Sequence, residues 1–114
     1  LSCGAWLGGE KSILLMQSSG VGNCINMFSI LESCEFPFCT IVTMRGEYQE
    51  FNSWQKPMGR VVEDCFELLD FVVFRITTES QVRKTIPSAL KVVYEQNKKV
   101  AIVLSQKFLG AKKW

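Results

Sequence analysis

The 114 residues are enough for one domain and too few for two. A hydrophobic share of 47% against 21% charged excludes a disordered chain, and a net charge of +2 is too small to imply a nucleic-acid partner. Histidine is absent, so Ser-His-Asp and Cys-His nucleophile pairs and any imidazole-rich zinc site within the chain are excluded.

Leu1 to Gly9 reads as the last turns of a helix, with Gly8 and Gly9 suited to its C-cap. A domain rarely opens on the apolar end of a helix, so the expectation is that the chain is truncated at its N-terminus. Residues 12–17 read as a buried strand, a short apolar run bounded by polar and glycine signals. A tight turn at Gly20-Val21-Gly22 is expected next. A helix over residues 22–34 follows, with Cys24, Met27, Phe28 and Leu31 at i, i+3, i+4 and i+7 on one buried face. Phe38 to Met44 is β-rich and reads as the second strand.

The polar connection from Arg45 to Pro57 is the longest loop, and long loops in compact domains are often functional. Pro57 then opens a helix to about Asp70, with Val61, Val62, Cys65, Phe66 and Leu69 as its apolar stripe. Phe71 to Ile76 is the third strand. Thr78 to Gln81 matches a capping box and opens a helix on Val82, Ile86, Leu90 and Val93. Pro87 inside it should kink or restart it. Lys99 to Ser105 is the last strand, and the basic tail from Gln106 to Trp114 is expected to be peripheral.

Helix and strand alternate throughout. The pattern implies right-handed βαβ crossovers and an α/β fold of three layers, an open parallel sheet with helices on both faces. The whole chain, residues 1–114, is expected to be a single domain. The apolar stretches are strand-sized, so nothing is long enough to span a bilayer. No charged segment followed by a long apolar one suggests a signal peptide. Cys3, Cys24, Cys34, Cys39 and Cys65 form no C-x-x-C pair. Free buried thiols in a reducing cytoplasm are therefore expected.

Several segments suggest chemistry. In open α/β sheets ligands bind at the carboxyl ends of strands, where Gln17 to Asn23 sits. The glycines match neither a full dinucleotide fingerprint nor a P-loop. They serve a ligand or simply close packing. Arg45-Gly46-Glu47 follows the second strand on the same edge, and Arg45 suits an anion or forms an exposed ion pair. Phe51 and Trp54 in the polar loop either cover the domain's own core or form an interface or lid. The Lys98-Lys99 and Lys112-Lys113 pairs read as solvated charge.

Three segments in this order, Met16 to Asn23, Arg45-Gly46-Glu47 and Gln55 to Arg60, carry a resemblance. Together they resemble the pyrimidine-binding domain of thiamine diphosphate-dependent 2-oxo acid decarboxylases. Within that group the sulfopyruvate decarboxylase alpha subunits are the nearest match, and the phosphonopyruvate decarboxylases are also similar. The resemblance covers nearly the whole chain. It implies thiamine diphosphate as cofactor, with Mg²⁺ bound through a second, diphosphate-binding domain on a separate beta subunit. The cofactor would lie between the two subunits of a hetero-oligomer. The implied reaction is decarboxylation of a small anionic 2-oxo acid, sulfopyruvate giving sulfoacetaldehyde and carbon dioxide, with the cofactor carrying the chemistry.

The resemblance also implies residue roles. Gln17, Ser19, Gly20, Gly22 and Asn23 form the turn beside the pyrimidine. Arg45 and Arg60 meet the substrate's distal anion, while Trp54 and Gln55 belong to the covering loop. The glutamate that contacts the pyrimidine N1′ is implied to lie upstream of Leu1, which would leave this chain inactive even with its partner. Glu10, Glu47 and Glu50 do not match that position. Related decarboxylases place histidines in the covering loop; with none here, the proton donor must be another group or come from the partner. The alternative is a non-catalytic α/β module that has kept the domain and binds a partner or another small ligand.

Overall fold

Four parallel strands run in the order β1-β2-β4-β3 in a computed structural model that describes residues 1–111. They are β1 (Leu14–Gln17), β2 (Phe38–Thr43), β3 (Val72–Ile76) and β4 (Lys99–Leu104). The helices are α1 (Ser2–Leu7), α2 (Ser18–Cys24), α3 (Ser29–Ser33), α4 (Lys56–Leu68), α5 (Glu79–Gln96) and α6 (Gln106–Leu109). The α/β class and the parallel sheet are those expected from the alternation of elements.

The crossovers explain the layers. The chain steps from β1 to its neighbour β2, passes over β4 to β3, and returns to β4. Right-handed connections in opposite directions must lie on opposite faces. Accordingly α2, α3 and α4, with the turn that joins α2 to α3, bury Val21, Phe28, Leu31, Val62 and Phe66 against one face. On the other, α5 packs Ala89 and Val93 against Cys39, Ile76, Val100 and Ile102. Phe28, Phe38, Phe66 and Phe71 form a ring cluster with centroids 5.0 to 6.1 Å apart. An aromatic pair of this kind adds about 0.5–1.5 kcal/mol beyond its buried area.

Three expectations need correction. β1 is not a buried strand but a sheet edge, and Leu15 is 70% exposed. It pairs only with β2, and α5 lies over β2, β3 and β4 on that face. Thr40 and Thr43 donate to the Leu14 and Met16 carbonyls and tie the edge down. The helix expected over residues 22–34 starts earlier and is broken into α2, a 3₁₀ turn at Asn26–Phe28 and α3. Met27 and Ile30 consequently face solvent, while Phe28 and Leu31 keep the core. Pro87 does not restart α5, which is continuous from its capping box at Thr78 and Gln81 to Asn97.

All four strands end in line. Gln17 is in register with Thr43, Thr43 with Leu104, and Leu104 with Ile76. The residues that follow these strands therefore emerge along one edge of the sheet. No helix among the described residues is long and apolar enough to cross a membrane. The Lys112-Lys113 pair and Trp114 lie outside the described residues.

Candidate functional site

The three motifs converge on that edge. Ser18, fully buried at the start of α2, accepts a hydrogen bond from the Arg45 amide at 3.0 Å. A Cβ on Gly46 would lie 2.5 Å from the Gln55 carbonyl oxygen, and Gly46 has φ +81°. A Cβ on Gly59 would press into the Arg45 carbonyl group more closely than real Cβ atoms approach, and would meet the Gly46 Cα at 3.3 Å. On Gly22 it would meet the Met58 sulfur at 3.0 Å. The start of α2, the exit of β2 and the start of α4 thus form one tightly packed cluster.

The expected Gly-x-Gly turn is absent. α2 begins one residue after β1 ends, and Gly20 and Gly22 are both helical. Small residues let α2 pack close against α4, and Gly22 is the contact point. Gly20 meets only Met16, at an ordinary 3.5 Å from its Cβ. Gln17 donates to the Ser19 hydroxyl at 2.7 Å. Ser19 and Asn23 are four residues apart, which puts them on one helix face. Gln17 and Asn23 are exposed.

Arg45 is not available as a free fork. Its Nε and Nη2 donate to the two carboxylate oxygens of Glu50 at 2.7 and 2.6 Å. Both side chains are largely buried, at 13% and 2% exposure, so the expected surface ion pair is in fact an interior one. Arg45 therefore does not serve as the bidentate anion clamp expected from the sequence. Glu50 also accepts from the Gly46 and Asn52 amides and from Gln106 Nε2. Arg45 chiefly, helped by the Asn52, Gly46 and Gln106 donors and opposed by burial, holds the Glu50 carboxyl well below the usual carboxylate range. The same bond raises the Arg45 guanidinium.

Gln106 begins the tail expected to be peripheral, yet it is 2% exposed and central to this edge. Its Oε1 accepts from the Glu47 and Tyr48 amides at 2.8 and 2.9 Å. Glu47 accepts from the Gln106 amide and from Arg75 Nη2 at 2.6 Å. Arg75 is also paired with Glu63. Ser18 and Gln106 carry no local signal that sequence reading could use, because their partners lie 27 to 59 positions away, and Glu50 is tied to Gln106 across 56 positions.

The covering-loop residues have mixed fates. Phe51 and Trp54 are 76% and 71% exposed, so they do not cover the domain's own core. Gln55 Oε1 is buried with no hydrogen-bond partner. Arg60 is exposed and forms no ion pair among the described residues. Lys99 is not simply solvated: it pairs with Glu32 and lies over the Phe71 ring. All five cysteines are free, but only Cys39 is buried, and burial pushes its thiol up to about 11. Among the described residues no three His, Cys, Asp or Glu side chains come together as a metal site.

Comparison with known proteins gives the same direction as the motifs. The chain is 36% identical over 102 residues to the sulfopyruvate decarboxylase subunit alpha of Methanococcus maripaludis, covering 89% of this chain and 61% of that one. It is 32% identical over 104 residues to the subunit of the same name from Methanocaldococcus jannaschii, covering 90% of this chain and 62% of that one. A phosphonopyruvate decarboxylase of Streptomyces viridochromogenes is 38% identical over 72 residues, 61% of this chain and 18% of that protein. The chain spans about three fifths of the length of the alpha subunits it matches. No family model matches it.

Proposed function

We propose that this chain is the pyrimidine-binding part of a thiamine diphosphate-dependent 2-oxo acid decarboxylase, acting on sulfopyruvate with a diphosphate-binding beta subunit. The observation that carries the reading is the convergence of the three motifs on one strand-end edge, where α/β sheets bind ligands. The relatives' names, sulfopyruvate decarboxylase subunit alpha, supply the substrate and the expectation of a partner.

The residues present fit half of a cofactor site. Gln17, Ser19 and Asn23 offer hydrogen-bonding groups just past the end of β1, and Gly20, with no side chain, lets a ring approach the backbone beside Met16. The unpartnered Gln55 Oε1 is a buried acceptor, and an unpaired buried acceptor costs about 1–3 kcal/mol until a donor reaches it. The amino group of an aminopyrimidine supplies such a donor.

When bound, thiamine diphosphate supplies the nucleophilic carbon and the electron sink for loss of carbon dioxide. Gln17 and Asn23 orient the ring. Arg60, in place of the committed Arg45, offers a cation to the substrate's sulfonate. Exposed Phe51 and Trp54 meet the partner subunit or close over the substrate. Mg²⁺ is held through the diphosphate on the partner, which also supplies the proton donor that a chain without histidine lacks. The assembly is a cytoplasmic hetero-oligomer, where five free thiols stay reduced.

The test is reconstitution. The complete reading frame is co-expressed with its beta partner, and carbon dioxide release from sulfopyruvate is followed with thiamine diphosphate and Mg²⁺. Release supports the reading. Turnover of phosphonopyruvate alone would replace the substrate, and turnover of neither would remove the function.

A further inference from the structure

Residues 46–52 form a loop in which four of the seven backbone amides donate to two side chains. Glu50 takes the amides of Gly46 and Asn52, and Gln106 takes those of Glu47 and Tyr48. Gln106 Nε2 then donates to Glu50 Oε2 at 2.9 Å and joins the two halves. We propose that Glu50 and Gln106 are a latch that positions the loop bearing Trp54 and Gln55 over the ligand edge. They act through the loop rather than on the ligand.

The chemistry is specific. Five donors converge on the Glu50 carboxylate: Arg45 Nε and Nη2, two amides and Gln106 Nε2. Both oxygens face donors only, so an amide in place of the carboxylate turns its own donor into other donors. Gln106 plays the complementary part, accepting at Oε1 and donating at Nε2. Its amide is held by Glu47 Oε2 at 3.0 Å, which fixes where its side chain starts. The loop's far end is held by the close approach of Gly46 to the Gln55 carbonyl. Displacement of residues 46–52 therefore moves Gln55, whose side-chain oxygen is buried without a hydrogen-bond partner.

This inference rests on the functional reading above, and the test separates the two. Glu50→Gln, Glu50→Asp and Gln106→Met are made in the complete alpha chain and assembled with the beta partner. Hydrogen exchange is read at the amides of Gly46, Glu47, Tyr48 and Asn52. In Glu50→Gln and Gln106→Met these four exchange at least about tenfold faster, as expected when charged or buried acceptors are lost, and by a larger factor than the core amides of β4, which report any global loss of stability. Glu50→Asp, which keeps the charge, restores part of the protection. The KM for the 2-oxo acid rises about tenfold with kcat altered less than about twofold, the mark of lost binding geometry rather than lost chemistry. Unchanged exchange at the four amides overturns the latch. Faster exchange with unchanged KM overturns its role in positioning the site. If the unaltered pair turns over no substrate, the functional reading fails, and the exchange arm still decides the latch.

Discussion

Gly59→Ala tests the packing of the motif cluster. The new methyl would press into the Arg45 carbonyl group and meet Gly46 Cα at 3.3 Å. Relaxed carbon contacts lie at about 3.5–4.0 Å, so α4 must move from the loop by something on the order of 1 Å. The atoms met are backbone and cannot rotate away. Overpacking of this kind costs about 1–3 kcal/mol, and the upper end applies here. Alanine's better helix propensity returns about 1 kcal/mol, leaving a net loss of about 2 kcal/mol. For a domain of this size that lowers Tm by about 8 °C. Thermal unfolding followed by circular dichroism measures it, with Gly20→Ala as the comparison. Gly20 meets only Met16 at ordinary distance, so its alanine variant should be as stable as the parent or more so. An unchanged Tm for Gly59→Ala, or a larger loss for Gly20→Ala, would refute the steric argument.

Arg45→Met leaves the buried Glu50 carboxylate without its main partner and should cost about 3 kcal/mol in urea unfolding at neutral pH. Because the folded Glu50 titrates below its ordinary value of 4.5, the stability it contributes is fully present above that value and is lost as pH falls below it. Urea midpoints should therefore begin to drop below about pH 5 and go on dropping as the pH is lowered further, and drop less in Glu50→Gln. With an aromatic disulfide reagent at about pH 8, exposed Cys34 should react first and Cys39 only on unfolding, since the buried thiol is raised to about 11. Fast labelling of Cys39 in the native protein would contradict its burial. Gly20→Ala should keep the fold yet weaken thiamine diphosphate binding to the assembled pair, because the added methyl narrows the approach beside Met16; unchanged binding would remove Gly20 from the site.

The parts of the fold that the sequence makes legible are those set by local patterning. Alternating apolar runs and helical stripes identify the four strands, α4 and α5, because burial of one face imposes a period. β1 misleads because an edge strand and a central parallel strand have the same apolar composition; only its neighbours distinguish them. Gly20-Val21-Gly22 suggests a turn, but two glycines are tolerated in α2 where the helix must lie close to Met58. The site is half legible. The order of the three motifs brings out Gln17, Asn23 and Gln55, whereas Glu50 and Gln106 are joined across 56 positions and leave no periodic trace. The glycines that sterics demand are Gly46 and Gly59, and their need comes from contacts with each other's segments.

Calorimetry of thiamine diphosphate, with Mg²⁺, into the complete alpha chain assembled with its beta partner bears most directly on the central claim. Tight binding is expected for the unaltered pair. Gln17→Ala and Asn23→Ala should each weaken it about tenfold, the worth of one hydrogen bond of about 1.4 kcal/mol, with Tm unchanged. Absence of binding, or an affinity in both variants equal to that of the unaltered pair, would contradict the assignment of this edge to the pyrimidine ring.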